Sequence, residues 1–272
     1  TILNDRVKTR LNRFHCIIII MMLWRLMRAH LKLLGFTILS FLWKRAQNCF
    51  WKLNGTSKKL NQLKTPGHNY ENCAQMISIQ VRFTFDRIIL DNSESDFLGF
   101  HTGFVHPNYV LKNEVSLYYV NDDLAVFVEA PPGVKAWESK HGCFHKEAHF
   151  ATAVNYIKMP TWAFHRLADE IGDPSATILI VEFCPRSGST LLCQCFEETR
   201  RCVTFSEPCA LIDFRRRAMD EVKYYRSGLR ILCKPVAGMD VLMYMMKLIP
   251  VINNQKEMIQ RAFPNAKFMV LY

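Results

Sequence analysis

Seven residues, Cys184, Pro185, Arg186, Ser187, Gly188, Ser189 and Thr190, bring three hydroxyls, a guanidinium and a glycine into one short loop. An apolar run at 178–181 precedes the loop, and a segment of helical character beginning Leu191-Leu192 follows it. A loop between a buried strand and a helix N-terminus aims unpaired backbone N–H groups and the positive end of the helix dipole at one point, which is the chemistry of a phosphate cradle. Gly188 permits close approach of the backbone, Ser187, Ser189 and Thr190 add hydroxyl donors, and Arg186 neutralises charge. The G-x-x-x-x-G-K-[ST] spacing of nucleotide triphosphatases is missing, and no lysine lies between Lys158 and Lys223, which disfavours ATP hydrolysis. The plainest alternative is a turn that only joins a strand to a helix.

Residues 185–192, Pro-Arg-Ser-Gly-Ser-Thr-Leu-Leu, resemble the 5′-phosphosulfate loop of the PAPS-dependent sulfotransferases, and look most like the carbohydrate-modifying branch. The resemblance extends over about 100 residues, from Thr177 to Tyr272. It implies a P-loop NTPase-like core that binds PAPS (3′-phosphoadenosine 5′-phosphosulfate) along Arg186, Ser187, Gly188, Ser189 and Thr190 and needs no metal. It also implies transfer of the sulfuryl group to an acceptor hydroxyl, on a carbohydrate. Farther along, Val203-Thr204-Phe205-Ser206 reads as a strand ending in Glu207-Pro208, and the same branch carries Glu-Pro at the corresponding place. Consecutive strands of such a fold are usually neighbours and ligands bind at their C-terminal edge, so Glu207 is expected beside the loop as general base, with Arg186 as its catalytic counterpart. A helix-starting acidic residue is the bland reading of Glu207. In the family a later loop holds the 3′-phosphate. That segment would lie past Tyr272, and a chain that starts at Thr1 reads as a fragment. Two other functions stay open: a sulfotransferase-like binding module without turnover, and a P-loop nucleotide kinase that uses arginine in place of lysine.

The elements that must position these groups follow from periodicity. From Thr177 onward strand and helix signals alternate, predicting a parallel α/β sheet flanked by helices over residues 159–272. Residues 229–234 read as one of its strands and 263–272, entered through the Pro264-Asn265 turn, as another, while the methionines between Met239 and Met246 read as core packing on a helix. Contact of Lys234, which ends the first of these strands, with the sulfuryl oxygens is the lesser reading of that residue. Phe164, Leu167, Ala168 and Ile171 share one helix face, bounded by Pro160 and Gly172. Upstream, Ile77, Ile79, Val81, Phe83 and Phe85 alternate with polar residues, and 114–129 reads as a hairpin about Asn121-Asp122-Asp123, so 74–158 is expected to be β-rich and antiparallel. His141, Cys143, His145 and His149 match no zinc signature and read as a surface patch. Arg215, Arg216 and Arg217 read as a solvated helical face.

Charge is unevenly placed. The net charge is +11, yet residues 1–70 carry thirteen Lys or Arg against Asp5 alone, which leaves the remainder near neutral. A neutral body argues against nucleic-acid binding, and the basic, apolar leader at 1–50 points to a membrane surface. Two apolar runs, 16–24 and 33–43, flank Arg25, Arg28 and Lys32. A type II signal anchor over 31–50, an interfacial helix, and sequence upstream of an initiator at Met21 or Met22 are the competing readings. The segment 51–73 reads as a polar linker or stem, with Asn54-Gly55-Thr56 as a glycosylation triplet, consistent with a Golgi-lumenal body; a cytoplasmic location is the alternative.

Overall fold

A computed structural model describes residues 2–83, 92–213, 221–248 and 255–272, of which 2–19 and 212–213 by their backbone. The leader is a single helix, α1 (Ile2–Leu53). Its portion Ile20–Leu53 is long and apolar enough to cross a membrane by length and composition, which is compatible with a type II membrane protein. Helix α2 (Thr56–Leu63) then occupies the segment expected to lack pattern. Leu63 explains the difference: it is buried with Tyr70, Cys73 and Ala163, and its carbonyl accepts a hydrogen bond from Trp162 Nε1 at 2.9 Å.

The β-rich region contains β1 (Ala74–Arg82), β2 (Phe97–Val105), β3 (Val115–Val120), β4 (Leu124–Glu129), helix α3 (His145–Thr152) and β5 (Asn155–Pro160). The five strands form one antiparallel sheet in the order β2-β1-β5-β4-β3. The expected hairpin is β3–β4, turned by Asn121, whose Oδ1 accepts from the backbone N–H of Asp123 (2.9 Å) and Leu124 (2.7 Å). The alternation from Ile77 to Val81 is β1, while Phe85 lies outside the described residues.

The second half runs α4 (Thr161–Ile171), β6 (Thr177–Phe183), α5 (Ser189–Glu198), β7 (Cys202–Ser206), α6 (Ala210–Asp213), α7 (Glu221–Leu232), β8 (Met243–Lys247), α8 (Gln255–Ala262) and β9 (Lys267–Leu271). Its four strands are all parallel, in the order β7-β8-β6-β9. Two elements differ from expectation. Residues 229–232, read as a strand, end α7, because Tyr225, Gly228, Leu229 and Leu232 recur at helical spacing and are buried together. The methionine run, read as helix, is the central strand β8: Tyr244 and Met246 enter one core and Met245 the opposite one, so the strand is apolar on both faces.

Packing ties the two sheets together. One cluster holds Ile180, Phe205 and Met246 of the parallel sheet with Leu117, Phe127 and Ile157 of the antiparallel sheet, joined through Phe164 of α4 and Leu229 of α7. Strand β5 also runs through the boundary expected at 158–159. On the far face Leu179, Val181 and Met245 pack on Leu192, Cys193 and Phe196 of α5, which fixes the start of that helix over the end of β6.

Candidate anion-binding site

The loop from Cys184 to Gly188 leaves the C-terminal end of β6 and enters α5, as the sequence predicts. Arg186 (φ 72°) and Gly188 (φ 80°) both take the left-handed conformation. Gly188 does so at no steric cost, whereas Arg186 stores about 1–2 kcal/mol. Gly188 is the N-cap of the ten-residue α5 and offers no side chain to cap it, so the N–H groups of its first turn point outward from the helix end. Ser189 is buried and Arg186 is exposed. Ser187 Oγ is buried and has no hydrogen-bond partner among the described residues. An uncapped helix start beside an unsatisfied buried hydroxyl is what an anion would complete.

Glu207 follows β7, also with a left-handed backbone (φ 57°), and its N–H donates to the carbonyl of Lys247 at 2.9 Å. It does not reach the loop by strand adjacency. Strand β8 lies between β6 and β7, so the neighbour rule fails here, and Lys247 at the end of β8 fills the gap. Lys247 is 1 % exposed; its Nζ pairs with Glu207 Oε1 at 2.9 Å and lies 3.3 Å from Thr190 Oγ1 and 3.4 Å from Ser206 Oγ. The ammonium also sits over the rings of Phe183 (4.6 Å) and Phe144 (5.2 Å). Thus the loop lacks its own lysine, and a strand two crossovers away supplies one. The sequence marks it only as a single cation within an apolar run, which does not say which strand it ends or what lies beside it.

A roof covers this corner. Ser139 N–H donates to both carboxylate oxygens of Glu197 on α5 (3.0 and 3.1 Å), and the segment leads through Phe144 into α3. Trp137, Ser139, Gly142, Cys143 and His145 face Thr190, Thr204 and Ser206 across a narrow gap. Cys143 is exposed and His141 partly so, as a surface patch requires, but His145 and His149 are not part of one. His145 and His149 are buried with ring centroids 3.8 Å apart, His145 also packs edge-on against Phe205, and His149 Nε2 has no partner among the described residues. No group of three or more metal-ligating side chains occurs among the described residues.

Lys234 is remote from the loop. It follows the end of α7, and its buried Nζ donates to the carbonyls of Val110 (2.6 Å), Lys112 (2.7 Å) and Val115. Burial pushes it down to about 7, while three carbonyl acceptors hold the three-proton ammonium form. Its work is to tie the start of β3 to the parallel half. Lys234→Met is expected to cost about 3 kcal/mol in urea unfolding, because it leaves buried carbonyls bare, and to leave anion binding by the folded protein unchanged. Arg215, Arg216 and Arg217 lie outside the described residues.

The site thus assembles the loop at 184–190, Lys247 and Glu207 at one sheet edge, under a roof from the other half of the chain. No family model matches the chain, and neither a curated protein nor a solved structure matches it.

Proposed function

We propose that this chain binds PAPS on a P-loop-type core and transfers its sulfuryl group to an acceptor hydroxyl, on a carbohydrate. The observation that carries the proposal is an uncapped helix N-terminus next to a buried Ser187 Oγ that has no partner among the described residues, with the buried Lys247 ammonium 3.3 Å from Thr190 Oγ1 and the Glu207 carboxylate 2.9 Å from that ammonium. The 5′-phosphosulfate would lie along Arg186 to Thr190. As the acceptor oxygen attacks sulfur and the bond to the bridging oxygen breaks, negative charge grows on that oxygen, where the α5 N–H groups, Arg186 and Lys247 oppose it. Glu207 takes the proton that the acceptor hydroxyl loses. A carbohydrate acceptor goes with attachment to a membrane through α1 and with a Golgi location.

Lys247 also favours a second reading, phosphoryl transfer, since it gives the loop the ammonium missing from its own sequence. A thermal shift separates the two. PAP, the desulfated product, at about 100 times its dissociation constant should stabilise the protein by roughly 2.7 kcal/mol, and ATP with Mg²⁺ should not. The reverse preference would replace sulfuryl by phosphoryl transfer, and no shift with either would remove both. Arg186→Ala is expected to weaken PAP binding and abolish transfer; Glu207→Gln should abolish transfer with binding kept.

A further inference from the structure

Helix α1 has two apolar sides, and among the described residues the body covers one of them. Phe36 stacks on Phe83 with centroids 4.5 Å apart, Trp43 Nε1 and Gln47 Nε2 both donate to the carbonyl of Gly99 (3.3 and 2.9 Å), and Trp51 meets His101 edge-on. These residues form one helical stripe, and they cover β2, the outermost strand of the antiparallel sheet. On the opposite stripe Leu31, Leu34, Ile38, Phe41 and Leu42 are each more than half exposed. Arg45 continues that stripe, with its guanidinium over the Phe41 ring at 5.2 Å. No acidic residue occurs between Asp5 and Glu71.

We infer that residues 31–53 lie in the plane of a bilayer surface containing anionic phospholipid, with the stripe from Leu31 to Leu42 in the acyl boundary and the body above it. A crossing helix is disfavoured by the same contacts. With 36–51 in hydrocarbon, the edge strand β2 and the Gly99 carbonyl would be carried in too, and open sheet edges do not occur there. Ahead of Phe36 the apolar stretch that opens at Cys16 reaches about 30 Å, just the thickness of the core, but it carries Arg25 and Arg28 near its middle, where a charge costs most, and Lys32 beyond them. An in-plane helix meets neither cost: its apolar stripe sinks roughly 5–10 Å, and cations with no acidic neighbours meet the headgroups.

The test uses the full chain and vesicles of phosphatidylcholine alone or with 30 % phosphatidylserine, followed by flotation. Expected are flotation with the mixed vesicles, at least tenfold weaker binding to the neutral ones, and at least tenfold loss on Ile38→Glu with Leu42→Glu at unchanged thermal stability. An N-terminal epitope should stay open to protease added on the side of the body. Protection of that epitope, with resistance to carbonate extraction, would establish a span and overturn the in-plane placement. Absence of vesicle binding, with a mass that doubles as concentration rises, would assign the stripe to a second copy of the chain and overturn it equally. None of these outcomes depends on PAP binding.

Discussion

Replacing Lys247 by methionine is expected to abolish stabilisation by nucleotide and to cost about 3 kcal/mol of fold stability at the same time. Both losses come from one atom. Nζ pairs with Glu207 Oε1 at 2.9 Å and also reaches Thr190 Oγ1 at the helix start, so its removal strands a carboxylate that is mostly out of water and takes a buried positive charge from beside the loop. Breaking one side of such a buried pair costs about 3–5 kcal/mol, most of it from the charge left behind. The loss of a charge-assisted contact to a bound phosphate is worth a further ~2–3 kcal/mol, or about 100-fold in dissociation constant. The two effects separate in the double variant Lys247→Met with Glu207→Gln, which should regain most of the stability in urea unfolding and still fail to bind PAP. Recovery of binding in the double variant would mean that Lys247 only neutralises Glu207 and that the loop holds its anion without it.

That result bears on why the site was only half visible in the sequence. The loop could be read because its chemistry is local: Arg186, Gly188 and the hydroxyl residues act through backbone geometry within seven positions of one another. Glu207 could be placed at the edge of the sheet, since a strand ending in Glu-Pro leaves few choices. Lys247 could not be found this way. Its nearness to Thr190 depends on β8 lying between β6 and β7, and strand order is set by how α5, α7 and α8 share the two faces of the sheet. The error over Met243 to Met246 has the same origin, for a strand apolar on both faces shows no alternation, and methionine favours helices. Residues 229–232 failed in the opposite sense, a short apolar run inside a helix being indistinguishable from a buried strand by period alone. The hairpin at Asn121 and the helix after Pro160 were legible because each carries its own stop signals.

Acid is expected to destabilise this protein well above the range where carboxylates titrate, and the cause is the pair His145 and His149. Burial depresses His145 to about 3, and His149, beside it, lies well below the ordinary value of 6.5 for burial and for the neighbouring ring. Both imidazoles are therefore neutral in the folded chain over the whole interval from pH 6.5 to pH 5, whereas the unfolded chain takes up protons there. The state with more bound protons gains as pH falls, so the folded state loses ground below about 6.5. At pH 5 each imidazole contributes about 2 kcal/mol to that loss, or about 4 kcal/mol for the pair, equivalent to a fall of roughly 8–16 °C in Tm relative to pH 7. Asp96, raised by burial, works the other way, and Lys146 nearby moderates it. His149→Leu should halve the loss between pH 7 and pH 5 and raise Tm at pH 5 above that of the parent chain. A slope unchanged by that substitution would place the titrating groups elsewhere. Because α3 begins in the roof over Lys247 and is locked to β7 through His145 and Phe205, the anion site is expected to fail in the same interval, with PAP binding lost along the same curve as the fold.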